Sequence, residues 1–443
     1  MFQLPQQARR ILNIAIPAIG EAYLQNLLGV ADSFFIAKMG LLAIDAVGVT
    51  NVYSMTYIGV FTAISAALSV YLSRAYGAKD IGRGRSAVWH GFLIAFLVGL
   101  VASLVSVLGA GPLLHIMGAY GELENAAYSY FCVVLGISPL IALFTAQSAS
   151  FRAIGDTRTP LRVGLEMNIL HVVLDSFLIF GAGSFHGLGL SGAAIAMVAA
   201  RTYALARLWL KSRKIEAISL SKRDLKVSAS YSWNMTKFAV PAALERLSMR
   251  LGQVVYFGLI VRMGVDVYAT HNIAGTITTF GFTIGSGFAT AATAAIGQAI
   301  GSGDEENVRT YRRWSYILSA VSMTSVAILL CVFSPWIGLL FTRDSNVLHL
   351  LLTILAIDII SQPFLAAVLV DTSAIQAGGN TKFPMIATMI GIWGVRTLGV
   401  YIFAWYLDFG LPAVWISIAL DNALRALLFL WYRRTRNWVR KLA

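Results

Sequence analysis

The sequence predicts an all-α polytopic membrane protein with twelve transmembrane helices, arranged as two six-helix lobes related by a pseudo-twofold axis along the membrane normal. Three observations carry this reading: composition, the sidedness of the basic residues, and an internal repeat. Of 443 residues, 58% are hydrophobic and only 12% charged, too few charges to cover a water-soluble surface. Apolar runs of this length satisfy their backbone groups in a bilayer as helices, whereas a barrel would show short alternating segments. The formal charge of +13 comes from 34 basic and 21 acidic residues. The basic residues lie mainly between the apolar runs, so the excess reports topology and contact with anionic membrane lipid, not nucleic acid. Cys132 and Cys331 lie inside apolar runs without a His or second Cys at ligand spacing, which gives neither a disulfide framework nor a metal site.

In chain order, spans are expected at 11–36, 45–72, 88–110, 126–149, 161–181, 190–210, 236–262, 270–298, 312–334, 348–374, 384–405 and 410–432. The first carries Pro17, Glu21 and Asp32 and lacks a convincing small-residue cleavage site, so it reads as a retained span and not a signal peptide. The connections on one side hold 24 Lys and Arg, from Arg9 and Arg10 through the 211–226 loop to the tail, whereas the alternate connections hold only Lys38, Arg262 and Arg343. This asymmetry places both termini and the 211–235 loop in the cytoplasm, for a multi-pass protein of the plasma (cytoplasmic) membrane, the inner membrane in a cell that has two.

Self-similarity is the most informative feature. Adding 224 to a first-half position often returns the same residue: Pro17 and Pro241, Glu21 and Glu245, Gly40 and Gly264, Gly77 and Gly301, Pro139 and Pro363, Gly155 and Gly379, Thr157 and Thr381, Pro160 and Pro384. After the fifth span the offset becomes 221, with Gly189-Leu190 matching Gly410-Leu411. Six spans per half is an even number, so both halves enter from the same side. The expected organisation is a lobe over 1–210, a basic cytoplasmic linker over 211–235 with Lys211, Lys222 and Lys226, and a second lobe over 236–443. Two like-oriented lobes facing one another suit an alternating-access transporter better than a channel.

The motif after the fourth span, Gly155-Asp-Thr157-Arg158-Thr-Pro160, returns after the tenth as Gly379-Asn-Thr381-Lys382-Phe-Pro384. This pair resembles the repeated G-x-T-[KR]-x-P signature of multidrug and toxic compound extrusion (MATE) transporters, over essentially the whole chain. The Gly77-to-Arg85 segment is only loosely similar to the loop motif of the major facilitator superfamily, its Gly-to-Asp spacing being one residue short. Physically the duplicated motif is structural: glycine permits a tight turn, and proline sits at a helix start where its missing N–H costs nothing.

Each ionisable residue at membrane depth costs roughly 2.5–3.5 kcal/mol on insertion scales and so needs a partner or a task. Glu21, Gln25, Leu28 and Asp32 follow i, i+4, i+7, i+11 on one face of the first span, with Asp32 about 16 Å farther along than Glu21. Asn168, His171 and Asp175 form a second polar stripe on the fifth. A carboxylate stripped of water is harder to ionise, and a second one beside it adds to the effect, so such a pair can exchange a proton near neutral pH. The alternative is that both aspartates are structural and stay in one state. The resemblance favours function, since Asp32 and Asp175 are similar to the two aspartates of DinF-like and archaeal members; His171 departs from the amide expected there.

The second half is not a chemical copy: the repeat equivalents of Asp32 and Asp175 are Tyr256 and Gly399. It carries Glu245 with Arg246 and Arg250, then Asp358, Asp371, Arg396 and the i, i+4 pair Asp421 and Arg425. Glu245 resembles the cation-linked glutamate of NorM-like members, although the nearby arginines argue for ion pairing. Gln25, Tyr53, Met55, Tyr57, Met249, Tyr256 and Phe280 are candidates for an adaptable cavity, because flexible and aromatic side chains suit varied cationic ligands. Gly281, Gly285 and Gly287 suit bending or close helix contact.

The expected function is secondary active antiport of amphipathic, cationic organic compounds (multidrug efflux) with no enzymatic activity and no cofactor. The driving gradient is H+, with Na+ second, since no ATP-binding motif is found. The expected coupling set is Asp32, Asp175, Glu21, His171, Asn168 and Glu245, in a monomer. The alternative is a lipid-linked-precursor or polysaccharide flippase of the wider superfamily, a reading kept open by Arg246, Arg250 and Arg396.

The charge asymmetry yields a first test. Cysteines placed by Lys79→Cys, Arg158→Cys and Lys222→Cys should react with an impermeant maleimide only from the cytoplasm, and Glu122→Cys and His186→Cys only from outside; reversed labelling would overturn the orientation.

Overall fold

The computed structural model describes residues 4–183, 185–220, 227–436 and 438, and it is helical almost throughout. In the first half the elements are α1 (Gln6–Ala37), α2 (Leu41–Gly77), α3 (Ile81–Leu108), the short α4 (Ala110–Ile116), α5 (Glu122–Gly136), α6 (Ser138–Ala153), α7 (Arg158–Phe180) and α8 (Leu190–Ser212). A two-residue ladder, β1 (Gly181–Ala182) against β2 (Phe185–His186), closes the turn after α7. The second half holds α9 (Ala229–Arg262), α10 (Val265–Gly301), α11 (Glu305–Val332), the short α12 (Ser334–Gly338), α13 (Ser345–Ala377), α14 (Lys382–Met389) and α15 (Gly410–Thr435). From α14 the chain continues as two π-helical segments, Ile390–Thr397 and Val400–Tyr406.

Each expected span lies on a helix or on consecutive helical segments, and most of the helices start one or two turns before the expected span. α2 and α10 have 37 residues each, about 55 Å at 1.5 Å per residue against an apolar layer of about 30 Å. Among the described residues ten helices are long and apolar enough to cross a membrane, and the bent pair α5 and α6 is an eleventh candidate. The remaining expected span, the seventh in chain order, is α9, which is 34 residues long but carries Lys237, Glu245, Arg246 and Arg250. The fourth span differs from its repeat mate: α5 and α6 meet at a 41° bend, whereas α13 runs on through Pro363. At the bend, Gly136 and Pro139 flank a turn in which the Ser138 hydroxyl donates to the Leu135 carbonyl.

The repeat is visible in the local geometry of the connections. Asp80 caps α3 by accepting the Arg83 N–H, and Asp304, its counterpart in the repeat, caps α11 by accepting that of Asn307. Hydrogen bonds from Asn307 hold the half-buried Asp304 carboxyl below the usual aspartate range. Gly40 and Gly264 enter α2 and α10 with φ of 106° and 122°, a region that favours glycine. In the duplicated loop motif Gly155 and Gly379 have φ of 93° and 91°. Asp156 then accepts the Thr159 N–H, and Asn380 those of Lys382 and Phe383. The motif is therefore a capped turn before α7 and α14.

The chain divides into two compact units. A first unit spans Gly20–Ala243, and a second combines the residues up to Ile19 with those from Leu244 onward. The divisions fall inside α1 and α9, just after Pro17 and Pro241. In the first unit α2 packs on α3, α5 and α6, and α7 on α8. In the second, α10 packs on α11 and α13, and α13 on α15; Ile11, Ile14 and Ala15 seat on the alanine-rich face of α10. Gly285 lies against Met323 and Gly287 against Ile19, so these glycines serve close contact. The described part of the connection after α8 is pinned to the first unit: Arg85 donates to the Glu216 carbonyl, and Ile218 is buried. Lys222, Arg223 and Lys226 lie outside the described residues.

A close approach in the second unit gives a stability test. A side-chain carbon at Gly391 would collide with the Asp421 carboxylate and the Arg425 methylenes, whereas one at Gly394 would meet nothing within 4 Å. Gly391→Ala is expected to cost about 2–4 kcal/mol and to lower the thermal unfolding midpoint of the purified protein by several degrees, with Gly394→Ala unchanged.

Candidate functional site

In the first unit α1 and α7 bring together three of the expected residues. His171 and Asp175, one turn apart, face the same way. Asp32 arrives from the far end of α1, so that ligand atoms of Asp32, His171 and Asp175 all lie within 4.8 Å of one another. His171 reaches both carboxylates, its Nδ1 3.8 Å from Asp32 Oδ1 and its Nε2 3.5 Å from Asp175 Oδ2, and the two aspartates also meet side chain to side chain. His171 and Asp175 are buried, while the Asp32 side chain keeps 24% of its surface. Asn168 donates to the Leu24 carbonyl at 2.7 Å, tying α7 to α1 one turn below the cluster. Asp32 Oδ1, Asp175 Oδ1 and Asn168 Oδ1 are buried acceptors without a hydrogen-bond partner among the described residues.

Two participants were not singled out in the sequence. Arg201 on α8 acts electrostatically on Asp32 and on the buried Tyr130 of α5. An arginine in the middle of an apolar run was the available signal. The assembly has acceptors in excess, one imidazole able to donate from either nitrogen, and one guanidinium that keeps its charge. It can hold one proton or none between its carboxylates, and its leftover oxygens would also suit a single monovalent cation.

Glu21 lies elsewhere in the same unit. It is buried and accepts Arg152 Nη1 from α6 at 2.8 Å. Its repeat mate Glu245 makes the matching contact in the second unit, accepting Gln376 Nε2 at 3.3 Å and the Thr388 hydroxyl at 3.1 Å. Direct ion pairing of Glu245 with its neighbouring arginines is thus corrected: its bonds come from an amide and a hydroxyl, and Arg246 and Arg425 act from farther away. Glu21 is not among the residues that gather at Asp32.

Other acids of the second unit are tied into the bundle. Asp371 takes a two-pronged contact from Arg312, at 2.7 and 3.1 Å, and a third from Arg433 at 3.3 Å. Asp358 accepts Gln362 Nε2 at 2.7 Å. Asp421 pairs with Arg425 as its spacing suggested, and also with Arg396 at 2.6 Å.

The expected cavity residues separate into two groups. Tyr53 donates to the Leu113 carbonyl, Tyr57 bonds Ser106, and Tyr256 is 4% exposed inside an apolar cluster, so these three are engaged in packing. Gln25, Met55 and Phe280 present exposed surface, and Met249 is partly buried.

Comparison with known proteins gives a consistent picture. The MatE family model matches residues 17–177 and 241–402, two stretches that begin at the paired prolines Pro17 and Pro241. A Thermotoga maritima protein named as a probable multidrug resistance protein NorM is 28% identical over 439 residues, 99% of this chain and 95% of its own length. The uncharacterized transporter YisQ of Bacillus subtilis is 28% identical over 434 residues, 97% of this chain and 95% of its own. A solved MATE structure in complex with MaL6 aligns with a TM-score of 0.89 at 23% identity, covering 97% of this chain and 96% of that one, a likeness of fold.

The matched glutamates supply their own test. Since Gln376 serves Glu245 where Arg152 serves Glu21, Arg152→Gln should be mild, about 1 kcal/mol. Arg152→Met leaves a buried carboxylate without a partner and should cost about 2–3 kcal/mol. Thermal unfolding of the two variants beside the parent checks the order.

Proposed function

The chain belongs to the MatE family, and on that premise we propose that it is a secondary active antiporter exporting amphipathic, often cationic, organic compounds in exchange for protons. The observation that carries the reading is the meeting of Asp32, His171 and Asp175 within 4.8 Å in a single unit. The naming of relatives as multidrug resistance proteins supports the cargo class. Na+ is the second choice of coupling ion, because the surplus oxygens of Asp32, Asp175 and Asn168 suit a hard cation.

The chemistry follows from the cluster. With both aspartates ionised, the pair carries excess negative charge that an organic cation relieves. A proton taken up by the pair relieves the same charge and removes the attraction for the cation. Arg201 and His171 position the carboxylates and limit how much charge either state leaves unbalanced. Proton and cargo then bias the alternating states through their differential affinity for each. Charge sidedness supports cytoplasmic termini, and the composition supports a plasma-membrane location; action as a monomer is part of the same proposal.

Proteoliposomes with pH and Na+ gradients imposed separately test this directly. Under a pH gradient the parent should accumulate a fluorescent organic cation, and Asp32→Asn should fold and bind but fall to background transport. Asp175→Asn should retain part of the activity, and Glu245→Gln should matter most if Na+ drives transport. An Asp32→Asn protein that still builds a pH-driven gradient would remove Asp32 from the mechanism.

A further inference from the structure

One fully buried carboxylate, Asp421, faces two guanidiniums, Arg396 at 2.6 Å and Arg425 at 2.7 Å. Arg425 turns next to a neutral acceptor, the Asn422 side-chain oxygen, at 2.8 Å. Glu245 is the other carboxylate within electrostatic reach, and it answers to Arg246 as well as to Arg425. Arg246 is exposed, and Glu245 acts on Arg425 from farther away, so Arg396 and Arg425 share Asp421 as their one direct carboxylate partner among the described residues, and a buried charge that is only partly countered favours a further anion.

An independent observation points to the same place. Arg396 Nε and Trp415 Nε1 can only donate, yet both are buried without an acceptor among the described residues, as is His271 Nδ1. Buried N–H groups left unpaired are rare. The three side chains gather around Tyr256: Arg396 lies over its ring at 6.0 Å, His271 meets it edge-on at 6.4 Å, and Trp415 stands 5.8 Å from the His271 ring. The surroundings are apolar, with Val400, Leu411 and Val414 in the same buried cluster. Arg396 itself sits in a π-helical segment, a geometry often found at functional sites.

We propose that the second unit binds one monovalent anion, a halide or a carboxylate, among Arg396, Trp415 and His271. A single negative charge complements a guanidinium that shares its carboxylate with a second arginine, whereas a dianion would exceed that need. The three donors suit a single halide or one carboxylate oxygen, with His271 in its Nδ1–H tautomer. Apolar walls favour a weakly hydrated ion. The same chemistry can come from a resident free ion or from the carboxylate of a transported compound.

The test uses the purified full-length protein in detergent at constant ionic strength. The thermal unfolding midpoint should rise saturably with chloride, bromide and benzoate and not with gluconate or sulfate, as a ligand of the folded state requires. Trp415→Phe keeps the ring but removes a donor and should raise the half-saturating chloride concentration about five- to tenfold. Arg396→Gln should abolish the dependence; if it does not fold, Trp415→Phe and the anion series carry the test. Transport of benzoate and benzamide by proteoliposomes then distinguishes the source. A selective loss of benzoate transport in Trp415→Phe assigns the site to cargo, and equal transport by parent and variant assigns it to a resident ion. Equal midpoints in chloride, benzoate and gluconate, or a saturable shift unchanged in both variants, would overturn the proposal. The thermal readout needs no proton-driven transport, so its failure is distinct from failure of the antiport reading.

Discussion

A charge carried into an apolar layer has to be matched inside the bundle that carries it, and in this chain the matching joins helices distant in sequence. Glu21 and Arg152 connect α1 to α6 across 131 residues. Asp371 draws Arg312 of α11 and Arg433 of α15 onto α13. Asp421 holds the π-helical segment against α15 through Arg396. Packing between apolar helices in lipid gains little from the hydrophobic effect, so close small-residue contacts and satisfied polar pairs set which helices meet. Removing either partner leaves the other buried and unpaired, which makes each pair a strong constraint even where its net contribution is modest.

The same constraint explains where the two halves remain alike. Gly40 and Gly264 share a backbone region that other residues enter at a cost, and Asp80 and Asp304 answer the same orphan N–H groups at a helix start. Such positions are dictated by backbone geometry, so a duplicated fold keeps them. Side-chain chemistry is freer. The glutamate contact survives with Gln376 in place of Arg152 because an amide donates as well as a guanidinium does. At the position of Asp175 the second half has Gly399, where a side-chain carbon would meet Ser417; close helix approach replaces the carboxylate.

Much of this was legible in the sequence. Apolar length located the helices, glycines and prolines located the turns, and the 3.6-residue period placed His171 and Asp175 on one face. Long-range pairing was less so, because nothing local to Glu21 names Arg152 as its partner. Tyr53 and Tyr57 looked like cavity residues by type, but helix rotation turns their hydroxyls to Leu113 and Ser106, and rotation depends on packing that composition does not encode. The π-helical stretch around Arg396 and the bend between α5 and α6 also depend on tertiary contacts. Arg201 was readable as a lone charge within a span, but its partner in space, Asp32, lies on the first helix of the chain, far from it in sequence.

The divergence of the halves has a consequence for coupling. Arginine keeps its proton through the physiological range, so Arg396 and Arg425 stay charged, and the charge around them changes only when an ion or a neighbouring group does. A pair of carboxylates with an imidazole beside them can change charge by moving a proton alone. If the two units are assigned these different tasks, proton exchange belongs to the half that carries Asp32 and Asp175. With Tyr256 at the position of Asp32 and Gly399 at that of Asp175, the aspartate pair is not repeated in the other half.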